Sequence, residues 1–185
     1  MEELLETENF TSSDLLFFFG GAGYNLIYAM DIDFLENWGP FNFFVPLAIG
    51  GISGIILYNI LSAILTQTGK WLGGKGTMRQ LKAAMAWSMP PLILLLPLAL
   101  IVLGLLMYNT GETPDQISIG NYAISLSSLF LSVSTILFFY LGINTVAVAH
   151  RQNLFIAGLS YLLAVLLLFS PFIVIYGAWA FFAQS

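Results

Sequence analysis

From the N-terminus the chain alternates long apolar runs with short polar connections. Four stretches hold no Asp, Glu, Lys, Arg or His: Asn37–Gly69, Ala83–Gly111, Gln116–Ala149 and Gln152–Ser185. Each exceeds the roughly 20 residues that an α-helix needs to cross a bilayer. Runs this continuous exclude a membrane β-barrel, whose strands are stretches of about ten residues in alternation. A fifth, shorter run, Leu15–Met30, carries Gly20, Gly21 and Gly23, which weaken an isolated helix but permit close packing against a neighbour. As a helix its 16 residues would extend about 24 Å, short of the ~30 Å hydrocarbon core. The pattern predicts an all-α fold: a polytopic transmembrane helical bundle forming one domain over residues 1–185. Five spans are expected near residues 14–30, 43–69, 82–108, 119–147 and 153–182, the first one short.

Composition narrows the function classes. Of 185 residues, 58% are hydrophobic and 8% charged, with mean hydropathy +0.88; soluble domains carry about 25% charge. No room is left for a soluble catalytic domain. The absence of cysteine excludes disulfides and thiolate chemistry, and a net charge of −5 argues against nucleic acid as a partner. Glu2, Glu3, Glu6 and Glu8 stand where a cleavable signal would be basic. All five Lys and Arg residues fall in two connections, Lys70, Lys75, Arg79 and Lys82 in one, Arg151 beside His150 in the other. By the positive-inside rule both face the cytoplasm, which puts the N-terminus inside and the C-terminus outside. Asp31, Asp33 and Glu36 then belong to a solvated external loop.

The first basic connection, Gly69-Lys-Trp-Leu-Gly-Gly-Lys-Gly-Thr77, superficially matches a phosphate-binding loop. Gly76 stands where that loop needs a magnesium-binding hydroxyl, and no strand precedes it. A turn accounts for it better: Gly69, Gly73 and Gly74 are expected to end one helix in left-handed conformations, and Thr77–Gln80 fits a capping box that starts the next. Lys70, Trp71, Gly73, Gly74, Lys75, Gly76, Arg79 and Lys82 together form the candidate surface for anionic lipid headgroups or a protein partner, and the expected protein partner is another membrane protein or, in a homo-oligomer, a second copy of the chain. Each cation near an anionic membrane is worth about 1 kcal/mol.

The segment Trp71-Leu-Gly-Gly-Lys-Gly-Thr-Met-Arg-Gln-Leu-Lys-Ala-Ala-Met-Ala-Trp-Ser-Met-Pro-Pro91 resembles the Yip1 domain family, whose members follow a membrane helix with a Gly-Gly-Lys-Gly turn and a proline-bearing helix. The short leading span, acidic external loop and late basic turn agree with its five-span layout. The resemblance implies a non-enzymatic membrane adaptor or membrane-organising protein. Eukaryotic members act in vesicle traffic in early secretory membranes with Rab-type GTPases, and some prokaryotic members are thought to assist ABC transporters. The short stretch before the first apolar run implies a prokaryotic plasma-membrane protein.

No ionisable residue interrupts the four long runs, and such residues usually mark proton relays, ion paths or catalysis. His150, the only histidine, is expected at the surface. No catalytic, cofactor or metal site is expected. Asn121, Ser125, Ser128, Ser132 and Thr135 step by four, three, four and three along one face of the fourth span, a helix-packing seam. Gly50 and Gly54 offer a small-residue face on the second span, placed to meet that seam. The alternative function is a small transporter or lipid-translocating protein using the stripe as its polar path. Pro90, Pro91 and Pro97 predict a kink in the third span, and Pro171 a second in the last.

Overall fold

The computed structural model describes residues 10–30, 44–108 and 114–184, all but a few of them helical. The chain runs through α1 (Phe10–Met30), α2 (Phe44–Trp71), α3 (Met78–Trp87), α4 (Pro90–Ile93), α5 (Leu95–Tyr108), α6 (Pro114–His150) and α7 (Leu154–Gln184). Among the described residues there is no strand. The helices α2, α6 and α7 are long and apolar enough to cross a membrane, and α3 with the helix after Pro90 makes a fourth candidate if the bent pair is one span. Asp31, Asp33 and Glu36 lie outside the described residues.

The first helix begins earlier than its charge-free run. Its 21 residues extend about 31 Å, because Phe10–Asp14 continue the helix. It runs antiparallel to α2, and small residues set the distance between them: a Cβ on Gly54 would lie 2.5 Å from the Phe17 carbonyl oxygen, and one on Gly50 2.7 Å from that of Gly21. The Gly50–Gly54 face therefore packs on α1, not on the serine stripe of α6.

Of the two expected kinks, the one at Pro90 and Pro91 is present. Between α3 and the helix starting at Pro90 the axis bends by 43°. Pro90 lacks the N–H that would reach the Ala86 carbonyl, which instead accepts from Met89 N–H at 3.0 Å, while Ser88 Oγ donates to the Met85 carbonyl at 2.6 Å. In α7, Ser170 Oγ donates at 2.8 Å to the Leu167 carbonyl, the group that Pro171 leaves without its helical donor; the helix runs through. The core gathers around α3, whose residues Leu81–Ala86 are all buried against α1, α2 and α6.

Candidate functional site: a basic hairpin clasped by a histidine

Two helices end at the hairpin side of the bundle in the same way. At the end of α2, Gly74 N–H reaches the Gly69 carbonyl at 2.7 Å and Gly73 N–H the Lys70 carbonyl at 3.0 Å. At the end of α6, Gln152 N–H reaches the Ala147 carbonyl at 2.9 Å and Arg151 N–H that of Val148 at 3.1 Å. Both are Schellman closures, with the left-handed position taken by Gly73 (φ 83°) and Arg151 (φ 54°). Of the three glycines expected in left-handed conformations, only Gly73 adopts one. Gly69 and Gly74 serve another purpose.

That purpose is His150. Contrary to the surface position expected, its side chain is 1% exposed and sits inside the glycine turn. Its Nδ1 accepts from Gly76 N–H at 3.1 Å, and Nε2 lies 3.1 Å from the Leu65 carbonyl. A nitrogen that accepts cannot carry a proton, so the ring is neutral with its hydrogen on Nε2, donating to Leu65. The glycines make room: a Cβ on Gly69 would overlap the imidazole, and on Gly74 or Gly76 it would stand 2.5 or 2.8 Å from Nδ1. The two turns are then tied directly, by Lys75 N–H to the His150 carbonyl at 3.2 Å and by Gln152 Nε2 to the Gly69 and Leu72 carbonyls at 3.2 and 3.0 Å. Thr68 Oγ1 adds a bond across to the Ser160 carbonyl at 3.1 Å.

The start of α3 is fixed by the expected capping box: Gln80 N–H donates to Thr77 Oγ1 at 3.3 Å and Thr77 N–H to Gln80 Oε1 at 3.0 Å. On this framework Lys70, Trp71, Gly73, Lys75 and Arg79 are exposed, Trp71 by 62%. Gly74 is half-buried and Gly76 buried.

Lys82 departs from the basic surface. It is buried in α3, with Nζ 2.7 Å from Asp14 Oδ1 and 6.0 Å from the centre of the Phe17 ring. Asn59 Nδ2 donates to the same carboxylate oxygen at 3.0 Å. Asn59 precedes Trp71 by twelve residues of α2, about 18 Å along the axis, so this pair lies deep in the bundle and not among the exposed cations. The sequence carried one sign of it: from Leu81 to Ala86 Lys82 is the lone polar residue. Nothing local marks Asp14 as its partner.

The serine stripe is dispersed. Ser125 and Ser132 are exposed, Ser128 and Thr135 half-buried, and the side chain of Asn121 lies outside the described residues. Ser132 and Thr135 donate to carbonyls of their own helix, Ser128 at 3.0 Å and Leu131 at 2.8 Å, so these two hydroxyls are turned back on the backbone.

No curated protein and no solved structure matches the chain. The family model of the Yip1 domain matches residues 10–182, taking in the glycine turn, the histidine that fills it and the helices on either side. An integral membrane helical bundle with this match along nearly its whole length belongs to the Yip1 domain family.

Proposed function

We propose that the protein is a non-enzymatic membrane adaptor that works through Lys70, Trp71, Lys75 and Arg79. In this reading it has five spans, with α1 as the first, the hairpin and the Arg151 turn in the cytoplasm and the C-terminus outside. Its membrane is a prokaryotic plasma membrane, or an early secretory membrane for a eukaryotic source. The observation that carries the reading is the combination of an exposed basic and aromatic face with a backbone held from beneath by His150. A surface that is already ordered loses little conformational entropy when a partner docks. Anionic headgroups are one set of contacts, each exposed cation contributing about 1 kcal/mol. A membrane-protein or cytosolic partner is the other: an ABC transporter in a prokaryote, a traffic GTPase in a eukaryote. Lys82 is left out of this face because its charge is taken by Asp14.

The test is purification of tagged protein from its native membrane in mild detergent, with co-purifying proteins identified by mass spectrometry. The same is done for the Lys70→Gln, Lys75→Gln, Arg79→Gln triple variant. Wild type should bring down a partner in near-stoichiometric amount. The variant should lose it by up to roughly 100-fold in affinity, the upper limit for three exposed ion pairs of about 0.2–1 kcal/mol each. Equal recovery by both proteins would contradict the role of the hairpin.

A further inference from the structure

Away from the hairpin, a cavity of about 510 Å³ opens between α1, α2, α6 and α7. Its volume falls within the roughly 300–1,000 Å³ of sites for small organic ligands. Leu57, Phe139 and Phe169 line it and are 42%, 42% and 53% exposed, so it opens sideways, toward the lipid that surrounds a membrane bundle. The lining holds no charged side chain. Two of its hydroxyls are already engaged, Ser53 Oγ with the Gly50 carbonyl at 3.2 Å and Thr135 Oγ1 with that of Leu131.

Tyr161 is different. It is 3% exposed, lines the cavity, and its hydroxyl has no hydrogen-bond partner among the described residues. Its ring is held edge-on by Phe139, centroids 5.7 Å apart, and lies over Gly142, where a Cβ would come within 3.1 Å of it. A buried phenol left without an acceptor is destabilising, and hydrocarbon tails offer none. The missing group is an acceptor. It must also be neutral, because a phosphate or carboxylate here would be an uncompensated buried charge. Tyr161 stands seven residues inside the start of α7, about 10 Å along the helix, in the half of that helix nearer the hairpin.

We infer that this cavity binds one diacyl membrane lipid, with an acyl chain against Leu57, Phe139 and Phe169 and an ester carbonyl accepting from the Tyr161 hydroxyl. Its polar phosphate stays outside the cavity, so the site is separate from any headgroup contact at the hairpin.

The test is native mass spectrometry of the full chain, delipidated in mild detergent and offered dioleoyl phosphatidylcholine or its diether analogue. Wild type should retain one diester lipid and prefer it over the diether by about five-fold or more, since an ether lacks the carbonyl. Tyr161→Phe should remove that preference while keeping the lipid. Val165→Phe, which fills the cavity, should remove both lipids. Equal retention of diester and diether by wild type would overturn the inference, as would retention of no lipid, preference for a free fatty acid, or a second protein chain in place of lipid. The diester–diether comparison uses the unaltered protein, so it decides the matter even where a variant fails to fold.

Discussion

Substituting Gly69 should have opposite effects depending on what occupies position 150. In the native protein the three nearest atoms to a Cβ at Gly69 all belong to the His150 ring, so Gly69→Ala must expel or tilt the imidazole. The displaced ring leaves Gly76 N–H, buried at 3.1 Å from Nδ1, without its acceptor, a loss of about 1–3 kcal/mol. Some packing is lost with it, for a total near 3 kcal/mol, roughly 100-fold in the folding equilibrium. His150→Ala alone should cost a similar amount, by the same two losses. In the His150→Ala background the clash is gone, and alanine in the last turn of α2 should stabilise by about 0.5–1 kcal/mol, because glycine is the poorer helix residue. The assay is reversible unfolding in mixed micelles, followed by the fluorescence of Trp71 and Trp87, for the four proteins of the double-mutant cycle. Gly69→Ala having the same sign and size in both backgrounds would refute the clasp.

Four further outcomes follow from the same geometry. Wild-type stability should be full above about pH 6.5 and fall as the pH drops below it, because burial disfavours the charged imidazole, a protonated ring cannot accept from Gly76 N–H, and the unfolded chain binds that proton freely; His150→Ala should lack this component in the same unfolding assay. Breaking the buried ion pair from one side with Lys82→Met or Asp14→Asn should destabilise by about 3 kcal/mol, the low end for buried pairs since Asp14 is 30% exposed, whereas Asp14→Leu with Lys82→Met should come close to wild type in Tm; additive losses would contradict the pairing. Thr77→Ala should cost about 1 kcal/mol through the lost cap, and Ser132→Ala less than about 0.5 kcal/mol because it faces outward. Gly54→Val should separate α1 from α2, read as faster proteolysis at the N-terminal helix, while Gly104→Ala, with nothing within 4 Å of the new methyl, should leave that rate unchanged.

Local chemistry was legible in the sequence wherever it depended on neighbours along the chain. The long apolar helices follow from run length, the capping box from Thr77 and Gln80, the bend from Pro90 and Pro91, and the left-handed turn from Gly73. What escaped depended on contacts between distant segments. Gly69 and Gly74 read as turn formers because glycine has no side chain to declare its neighbour, yet they are spaced around His150, a residue far away in sequence. Counting Lys82 with the hairpin cations followed from its proximity in sequence to Arg79; three residues further along a helix that dives into the bundle, it meets Asp14 instead. The α6 stripe has perfect helical spacing, but periodicity says only that residues share a face, and here much of that face is turned outward.

The most direct test of the account is the side and depth of single cysteines, which the cysteine-free chain allows without background. Lys75→Cys and Arg151→Cys, at the two clasped turns, and Lys82→Cys, in the buried pair, are labelled with a membrane-impermeant maleimide in intact and in opened cells. Cysteines at 75 and 151 should react only after opening, and the one at 82 should stay unlabelled in both states. Labelling at 75 in intact cells, or labelling at 82 as fast as at 75, would contradict an inward-facing basic hairpin fixed on a buried base.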